Sequence, residues 1–210
     1  ILYLGDLNQM AELGLHEHEN MKPRWQRLQA LDASEPRRVL EAMADGVHLR
    51  SMLSAYSVDG VAIIRSQLPM PQRVEAMGRG LFHEGKPYDF DFDFTRSHRL
   101  VCTEVVYRSY EGIGGLEFPL TPRVGRLTLA AEDLLQMALN GRGFQLIATY
   151  LPGAGQISTG GAAEQDLRNT IGRQVAATAD EDRRTRIGKS KRHSPCHPGT
   201  HSPCHPAFPP

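Results

Sequence analysis

Short apolar runs, alternating or continuous and separated by glycine and proline, organise the first 150 positions. Ile1-Leu-Tyr-Leu4 before Gly5-Asp6 reads as a strand, and residues 8–31 as helical or irregular, with Met21, Trp25, Leu28 and Leu31 at mixed helical spacing. Val39–Met43 is a strand candidate that turns at Asp45-Gly46 into Val47–Leu49, because Asp-Gly between apolar runs is a strong hairpin signal. Val61-Ala-Ile-Ile64 is apolar on both faces, which predicts a central strand. A helix opening at Pro71 carries Val74, Met77, Leu81 and Phe82 on its apolar side and stops at Gly85 and Pro87. Leu100–Tyr110 and Leu129–Leu139 read as two more helices, the second with Thr128 as N-cap and Gly141 as stop. Phe144–Tyr150 closes the series as a strand. Helices segregated from a mostly antiparallel sheet predict an α+β domain.

That pattern fades near Leu151–Gly155, where Pro152, Gly153 and Gly155 interrupt any regular element. The last 60 residues hold only seven large apolar side chains: Leu151, Ile157, Leu167, Ile171, Val175, Ile187 and Phe208. So little apolar surface does not offset the ordering entropy, and the expectation is a domain over 1–150 and a low-complexity, disordered tail over 151–210. Within the tail, Leu167, Ile171 and Val175 recur at helical spacing and mark at most one marginal helix. The chain ends in a repeat, His193-Ser-Pro-Cys-His-Pro198 and His201-Ser-Pro-Cys-His-Pro206. Histidine and cysteine are zinc ligands in type, but the spacing fits no standard finger and proline holds the segment extended. A duplicated low-complexity tail accounts for the repeat without a metal, and no cofactor is expected.

Charge narrows the function classes. The chain has 210 residues and equal numbers, 24 each, of basic and acidic side chains, so no net field exists to hold nucleic acid. No apolar run approaches the roughly 18 residues of a membrane span. Three cysteines do not make a disulfide framework. The chain begins at Ile1 rather than Met, which leaves room for an upstream segment and leaves the compartment open between a bacterial cell envelope and cytoplasm.

Three motifs invite chemistry. Asp89, Asp91 and Asp93 open like a calcium loop, but Phe94 stands where glycine is needed and Leu100 where a bidentate glutamate belongs. Strict alternation from Tyr88 to Phe94 instead predicts a strand with Phe90, Phe92 and Phe94 buried and the three aspartates in water. Gly112-Ile-Gly-Gly115 lacks the context of a phosphate loop and reads as a turn. Cys102 falls in the first turn of the Leu100–Tyr110 helix, where the N-terminus favours a thiolate. Val105, Val106, Ser109 and Tyr110 follow it at helical spacing, so its face is the buried one, and a small packed hydrophobe is the alternative to a nucleophile.

Gly85-Lys-Pro-Tyr-Asp-Phe90 followed by Leu100-Val-Cys-Thr-Glu-Val-Val-Tyr-Arg-Ser-Tyr110 resembles the YiiX/YaeF-like family of permuted papain-like amidases, relatives of the NlpC-type cell-wall peptidases and of lecithin:retinol acyltransferase. The family's mark is G-x-x-Y-D-F and then C-[ST]-E-L-V-Y at a helix start; Val105 replaces the leucine. The resemblance spans roughly residues 1–150, with Val39-Leu-Glu-Ala42 and Gly46-Val47 resembling the preceding strand pair and Leu127–Leu134 the closing helix. It implies a circularly permuted papain-like domain in which an antiparallel sheet packs against helices, Cys102 is the nucleophile and the histidine comes first in the chain. Ile1-Leu-Tyr-Leu-Gly5 resembles the remainder of the histidine strand, which puts that histidine one or two positions before Ile1. His16, His18, His48 and His98 do not carry the motif and read as surface residues. Glu41 would orient the imidazole or, alternatively, is an exposed strand glutamate; Tyr88 would pack or hydrogen-bond near the thiolate at a substrate-binding position.

The activity implied is hydrolysis of amide bonds in cell-wall peptides or small aminoacyl compounds through a cysteine acyl-enzyme. Two rivals stand beside it: a lipid acyltransferase or phospholipase of the retinol-acyltransferase type, and a non-catalytic binding module whose Cys102 only packs.

Overall fold

The computed structural model describes residues 1–172 except 34, 37, 124 and 154. The chain divides into two compact units, 1–168 and 169–210. In the second, residues 169–172 are helical, and the terminal His/Cys repeat lies outside the described residues.

The first unit opens with strand β1 (Leu2–Tyr3) and helix α1 (Leu7–Glu12), then two 3-10 turns at Leu15–Glu17 and Lys22–Arg24 and helix α2 (Trp25–Asp32). Strands β2 (Val39–Met43) and β3 (Gly46–Arg50) follow, then α3 (Met52–Tyr56), β4 (Val61–Ser66), α4 (Met70–Leu81) and α5 (Cys102–Tyr110). The chain continues through β5 (Thr121–Arg123), β6 (Arg126–Thr128), α6 (Ala131–Leu139), β7 (Phe144–Tyr150) and β8 (Ser158–Thr159), and residues 160–168 form a helix, α7. Among the described residues every strand pair is antiparallel, in three small sheets ordered β1-β2-β3, β4-β7-β8 and β5-β6. The protein is α+β.

Local chemistry accounts for the starts and turns. Asp6 caps α1 by accepting from the Gln9 amide at 2.7 Å, and the Gln9 side chain accepts from the Asp6 amide at 3.3 Å. The β2–β3 hairpin closes with Met43 opposite Gly46, so Gly46 is the first strand residue beyond a two-residue Ala44-Asp45 loop. Its φ is +115°, and an added Cβ would lie 2.7 Å from the Lys86 carbonyl oxygen, so both conformation and close approach require glycine. Helix α6 begins from Ala130 rather than Thr128, which belongs to β6; the Asp133 carboxylate accepts the Ala130 N–H at 2.7 Å.

The main core lies where α4 and α5 meet the first sheet. Leu4, Met10, Leu15, Leu28, Leu40, Val47, Leu81, Leu100 and Val105 are all buried, and α5 packs on both α4 and β2. Gly80 lets these layers close: a Cβ there would sit 2.7 Å from Ser109 Oγ and 2.9 Å from Leu2 Cδ2. A second cluster links Tyr110, Phe144 and Phe118 through ring contacts of 5.7 and 5.9 Å.

Three expectations are corrected. β7, not β4, is central in its sheet, because β8 pairs on its far side; Ile63 of β4 is 52% exposed. Segment 88–94 is not a strand, since its only ladder contact among the described residues is a single Tyr88–Leu100 bridge. The folded unit also extends past the break near Leu151–Gly155. β8 pairs Thr159 with Ala148, and Ala163 and Leu167 of α7 are buried, so one strand pair and two buried apolar side chains tie down a stretch of unpromising composition.

Candidate functional site

The site is assembled by a relay of backbone contacts from the hairpin to α5. Val47 N–H donates to the Lys86 carbonyl at 2.8 Å, and Gly85 N–H to the Val47 carbonyl at 2.7 Å. Two residues on, Leu100 N–H donates to the Pro87 carbonyl at 3.1 Å and Asp89 N–H to the Leu100 carbonyl at 3.2 Å. Segment 85–89 therefore joins the start of β3 on one side and the entry to α5 on the other. Cys102 is the first residue of α5, after an extended Val101 (φ −91°, ψ 168°) that supplies no side-chain cap. The first-turn N–H groups thus carry the positive end of the helix without a built-in acceptor.

Cys102 is exposed, which corrects the expectation of a buried face. The buried stripe of α5 comprises Glu104, Val105, Val106, Ser109 and Tyr110, and its first position emerges from the packing at the helix end. Tyr88 lies within electrostatic reach of the thiol. Burial first, then the negative charge of a Cys102 thiolate and of Asp89, holds its phenol above the ordinary tyrosine range. Tyr88 also bridges Leu100, two residues before Cys102.

Glu41 is not the exposed carboxylate of the alternative reading: it is 5% exposed. Arg50 Nε sits 3.1 Å from Oε1, the Ser54 hydroxyl donates to the same oxygen, and His48 is its partner across the β2–β3 ladder. Leu2 and Leu40 point toward Gly80 of α4, so alternation places Val39, Glu41 and Tyr3 on the other face of this sheet. No contact joins Glu41 to Cys102 among the described residues, and none joins a histidine to Cys102. His16 lies 3.7 Å from Glu17, His48 Nε2 is 3.0 Å from the Asp45 carbonyl, and His98 is exposed.

Asp89 is the surprise of the aspartate run. It is 2% exposed, and its carboxylate accepts from the Asp91 N–H at 3.1 Å and the Asp93 N–H at 2.6 Å. The loop is folded around this one side chain. Asp93 in turn accepts from Thr95 Oγ1 at 2.6 Å and from the Thr95 N–H at 3.1 Å, and these two hydrogen bonds lower its pKa. Phe94 is buried against Tyr107, whereas Phe90 and Phe92 are exposed, 67% and 49%, the reverse of the strand expectation. Among the described residues no group of three acidic, histidine or cysteine side chains could hold a metal ion.

A buried polar cluster, unmarked in the sequence, flanks α5. Arg108 Nε donates to Glu104 Oε1 at 2.7 Å, and its Nη2 donates to the Phe94 and Arg96 carbonyls at 3.0 Å. Glu104 is fully buried, its Oε2 has no partner, and burial raises its pKa despite Arg108. Lys86 donates to His83 Nδ1 at 2.8 Å and to the Ser97 carbonyl at 2.7 Å, 4.7 Å above the Phe82 ring. Burial, with Lys86 and Arg108 adding repulsion, lowers the His83 pKa to about 4, so this imidazole is neutral. It lines an open groove of about 300 Å³ with Glu19, Asn20, Arg79, Phe82 and Arg108. Cys102 is not part of that groove. Position gives the only sequence signal for this cluster, Glu104 and Arg108 being four apart on one helix.

No family model matches this chain, and neither does any curated protein or solved structure.

Proposed function

We propose that this protein is a thiol-dependent hydrolase that transfers the acyl group of an amide to Cys102 and then to water. The observation that carries the reading is an exposed cysteine at the first position of a nine-residue helix whose N-terminal amides have no side-chain cap. The uncapped first-turn amides there can donate to an oxyanion that forms at the carbonyl under attack. The resemblance of the Tyr88 and Cys102 segments to permuted papain-like amidases supports the same assignment, with cell-wall peptides or small aminoacyl amides as substrates.

In the reaction the Cys102 thiolate attacks the amide carbonyl and its oxygen takes up negative charge. The tetrahedral species collapses to a thioester as the leaving nitrogen receives a proton, and water then attacks the thioester to release acid and regenerate the thiol. The proton shuttle is the histidine that the resemblance places just before Ile1. Strand register supports this position: Leu2 pairs with Leu40 and Tyr3 with Val39, so a chain continued upstream runs past Glu41 toward Ala42 and Met43. Alternation puts a residue one before Ile1 on the face of Leu2 and Leu40, the face that packs against α4 and α5, at the hairpin end that docks on Lys86. Glu41, held by Arg50 and Ser54, lies on the opposite face of the sheet, and its role as the orienting carboxylate rests on the resemblance alone.

The test compares hydrolysis of an aminoacyl anilide by the 210-residue chain and by the same chain carrying its natural upstream residues. Restoring the base should raise the rate by about a hundredfold or more. Equal rates, or an upstream sequence without histidine in its last few residues, would refute the assignment.

A further inference from the structure

The groove beside His83 holds more donor capacity than the protein's own packing uses. Glu19, Asn20, Arg79, Phe82, His83 and Arg108 line it, and its volume is about 300 Å³. Ligand clefts run from roughly 300 to 1,000 Å³, so an occupant of this one is a small molecule.

Three side chains bring unspent donors to this lining, and each is fixed by other contacts. Lys86 Nζ, which only donates, lies 2.8 Å from His83 Nδ1, so Nδ1 accepts and the neutral imidazole carries its proton on Nε2. That N–H has no partner among the described residues, although the residue is only 7% exposed. A donor left unpaired on a buried ring costs stability, and a ligand that accepts from it recovers the loss. Arg108 spends Nε on Glu104 and Nη2 on the Phe94 and Arg96 carbonyls, which leaves Nη1 without a partner among the described residues. Arg79 spends Nη1 on the Glu111 carbonyl at 3.1 Å and Nη2 on Glu75 at 2.7 Å, which leaves Nε. Donors already held in place lose little freedom when an anion binds, and a planar guanidinium suits a carboxylate.

The charges around the groove select among possible anions. Arg79 and Arg108 are each paired with a glutamate, Glu75 and Glu104, and Lys86 on the far side of the imidazole adds a positive charge. Glu19, exposed on the same lining, adds a negative one. These charges cancel, which disfavours a dianion such as a phosphate monoester and suits a molecule that is neutral but carries both signs. Phe82, 52% exposed, supplies an apolar wall. We infer that the groove binds a free α-amino acid with an apolar or aromatic side chain: its carboxylate accepts from Arg79, His83 and Arg108, its ammonium faces Glu19, and its side chain lies along Phe82. The inference does not depend on Cys102, which lies outside the groove.

Titration of the 210-residue chain with L-phenylalanine, 3-phenylpropanoate, 2-phenylethylamine and phenyl phosphate tests it. The second probe lacks the ammonium, the third lacks the carboxylate, and the fourth replaces both with a dianion. Binding is read at the imidazole C–H resonances by NMR, the His83 signal being the one missing from His83→Gln. L-Phenylalanine should shift that signal saturably, and each other probe should bind at least about tenfold more weakly, the effect of one charge-assisted hydrogen bond. Two solvent-accessible positions check the assignment without disturbing the buried Glu104 pair. Glu19→Gln should reduce the affinity for L-phenylalanine to that for 3-phenylpropanoate, and Arg79→Gln should weaken both by about tenfold. No saturable His83 shift with L-phenylalanine up to about 20 mM would overturn the inference. So would 3-phenylpropanoate or phenyl phosphate binding as tightly as L-phenylalanine, or an affinity that Glu19→Gln leaves unchanged.

Discussion

Replacing Arg108 with methionine isolates the strongest electrostatic demand in the fold. Glu104 is wholly buried, and Arg108, itself 20% exposed, is its ion-pair partner at 2.6 Å. Both guanidinium contacts fall on Oε1, and Oε2 is already without a partner. Removing the arginine leaves an uncompensated carboxylate in the core, which costs about 3–5 kcal/mol. The freed Arg96 carbonyl adds little, because Arg96 is exposed and water replaces the lost donor, whereas the carbonyl of the buried Phe94 adds to the loss. For a unit of this size the melting temperature should fall by roughly 10 °C, with a matching fall in the urea midpoint. Two controls follow from the same physics. Glu104→Gln/Arg108→Met should recover at least half of the loss, since no charge remains to be buried. The gap between Arg108→Met and the unaltered protein should also narrow as pH falls. Burial already raises the Glu104 pKa, loss of Arg108 raises it further, and protonation removes the charge that makes the variant unstable. A loss below about 1 kcal/mol, or a double variant as unstable as the single, would refute this reasoning.

Other outcomes follow from the same packing. His83 has a folded pKa of about 4 against 6.5 in the unfolded chain, so the unfolded state takes up the proton first as pH falls. Stability should therefore drop between about pH 6.5 and 4 by about 2 kcal/mol, discounted from the full shift because the ring borders an open groove. His83→Gln should abolish this component in urea titrations; an identical pH dependence in the variant would exclude it. A chain ended at Tyr150 loses β8 and the buried Ala163 and Leu167, and should be less stable than one ended at residue 172 by at least about 2 kcal/mol. Equal urea midpoints would show that 151–168 contributes nothing to the fold. Glu41→Gln leaves Arg50, among the described residues, paired with Asp45 and should cost about 2 kcal/mol, while lowering kcat more than it changes KM in the protein with its upstream residues. An unchanged kcat would remove Glu41 from the catalytic account.

The parts of this fold that were legible in the sequence are those decided locally. The β2–β3 hairpin, α4, α5, α6 and β7 follow from turn residues and periodicity, and they lie close to their expected positions. Segment 88–94 shows how the same reasoning fails. Alternation describes a strand only if a partner strand exists, and here one residue bridges Leu100 while Asp89 satisfies the amides of its own loop. Short acidic side chains compete with ladder hydrogen bonds, so D-F-D-F-D-F fits a turn as well as a strand. Cys102 lies on the apolar stripe by spacing, but the sequence does not state where the packing against that stripe ends. His83 carries no periodic signal at all, because the tertiary fold buries it and sets it beside the charge of Arg108, 25 positions away. Phe82, expected in the core, is 52% exposed beneath the Lys86 ammonium, a contact at the end of α4 that helical spacing does not encode.

Trapping the acyl-enzyme tests the central claim most directly. The chain with its natural upstream residues is mixed with an activated aminoacyl ester and quenched in acid, and its intact mass and peptide map are recorded. The account predicts one acyl adduct, on Cys102, that hydroxylamine removes, that decays at the rate of turnover, and that Cys102→Ala eliminates together with hydrolysis. Hydrolysis that persists in Cys102→Ala, or turnover with no adduct on Cys102 at any time, would contradict it.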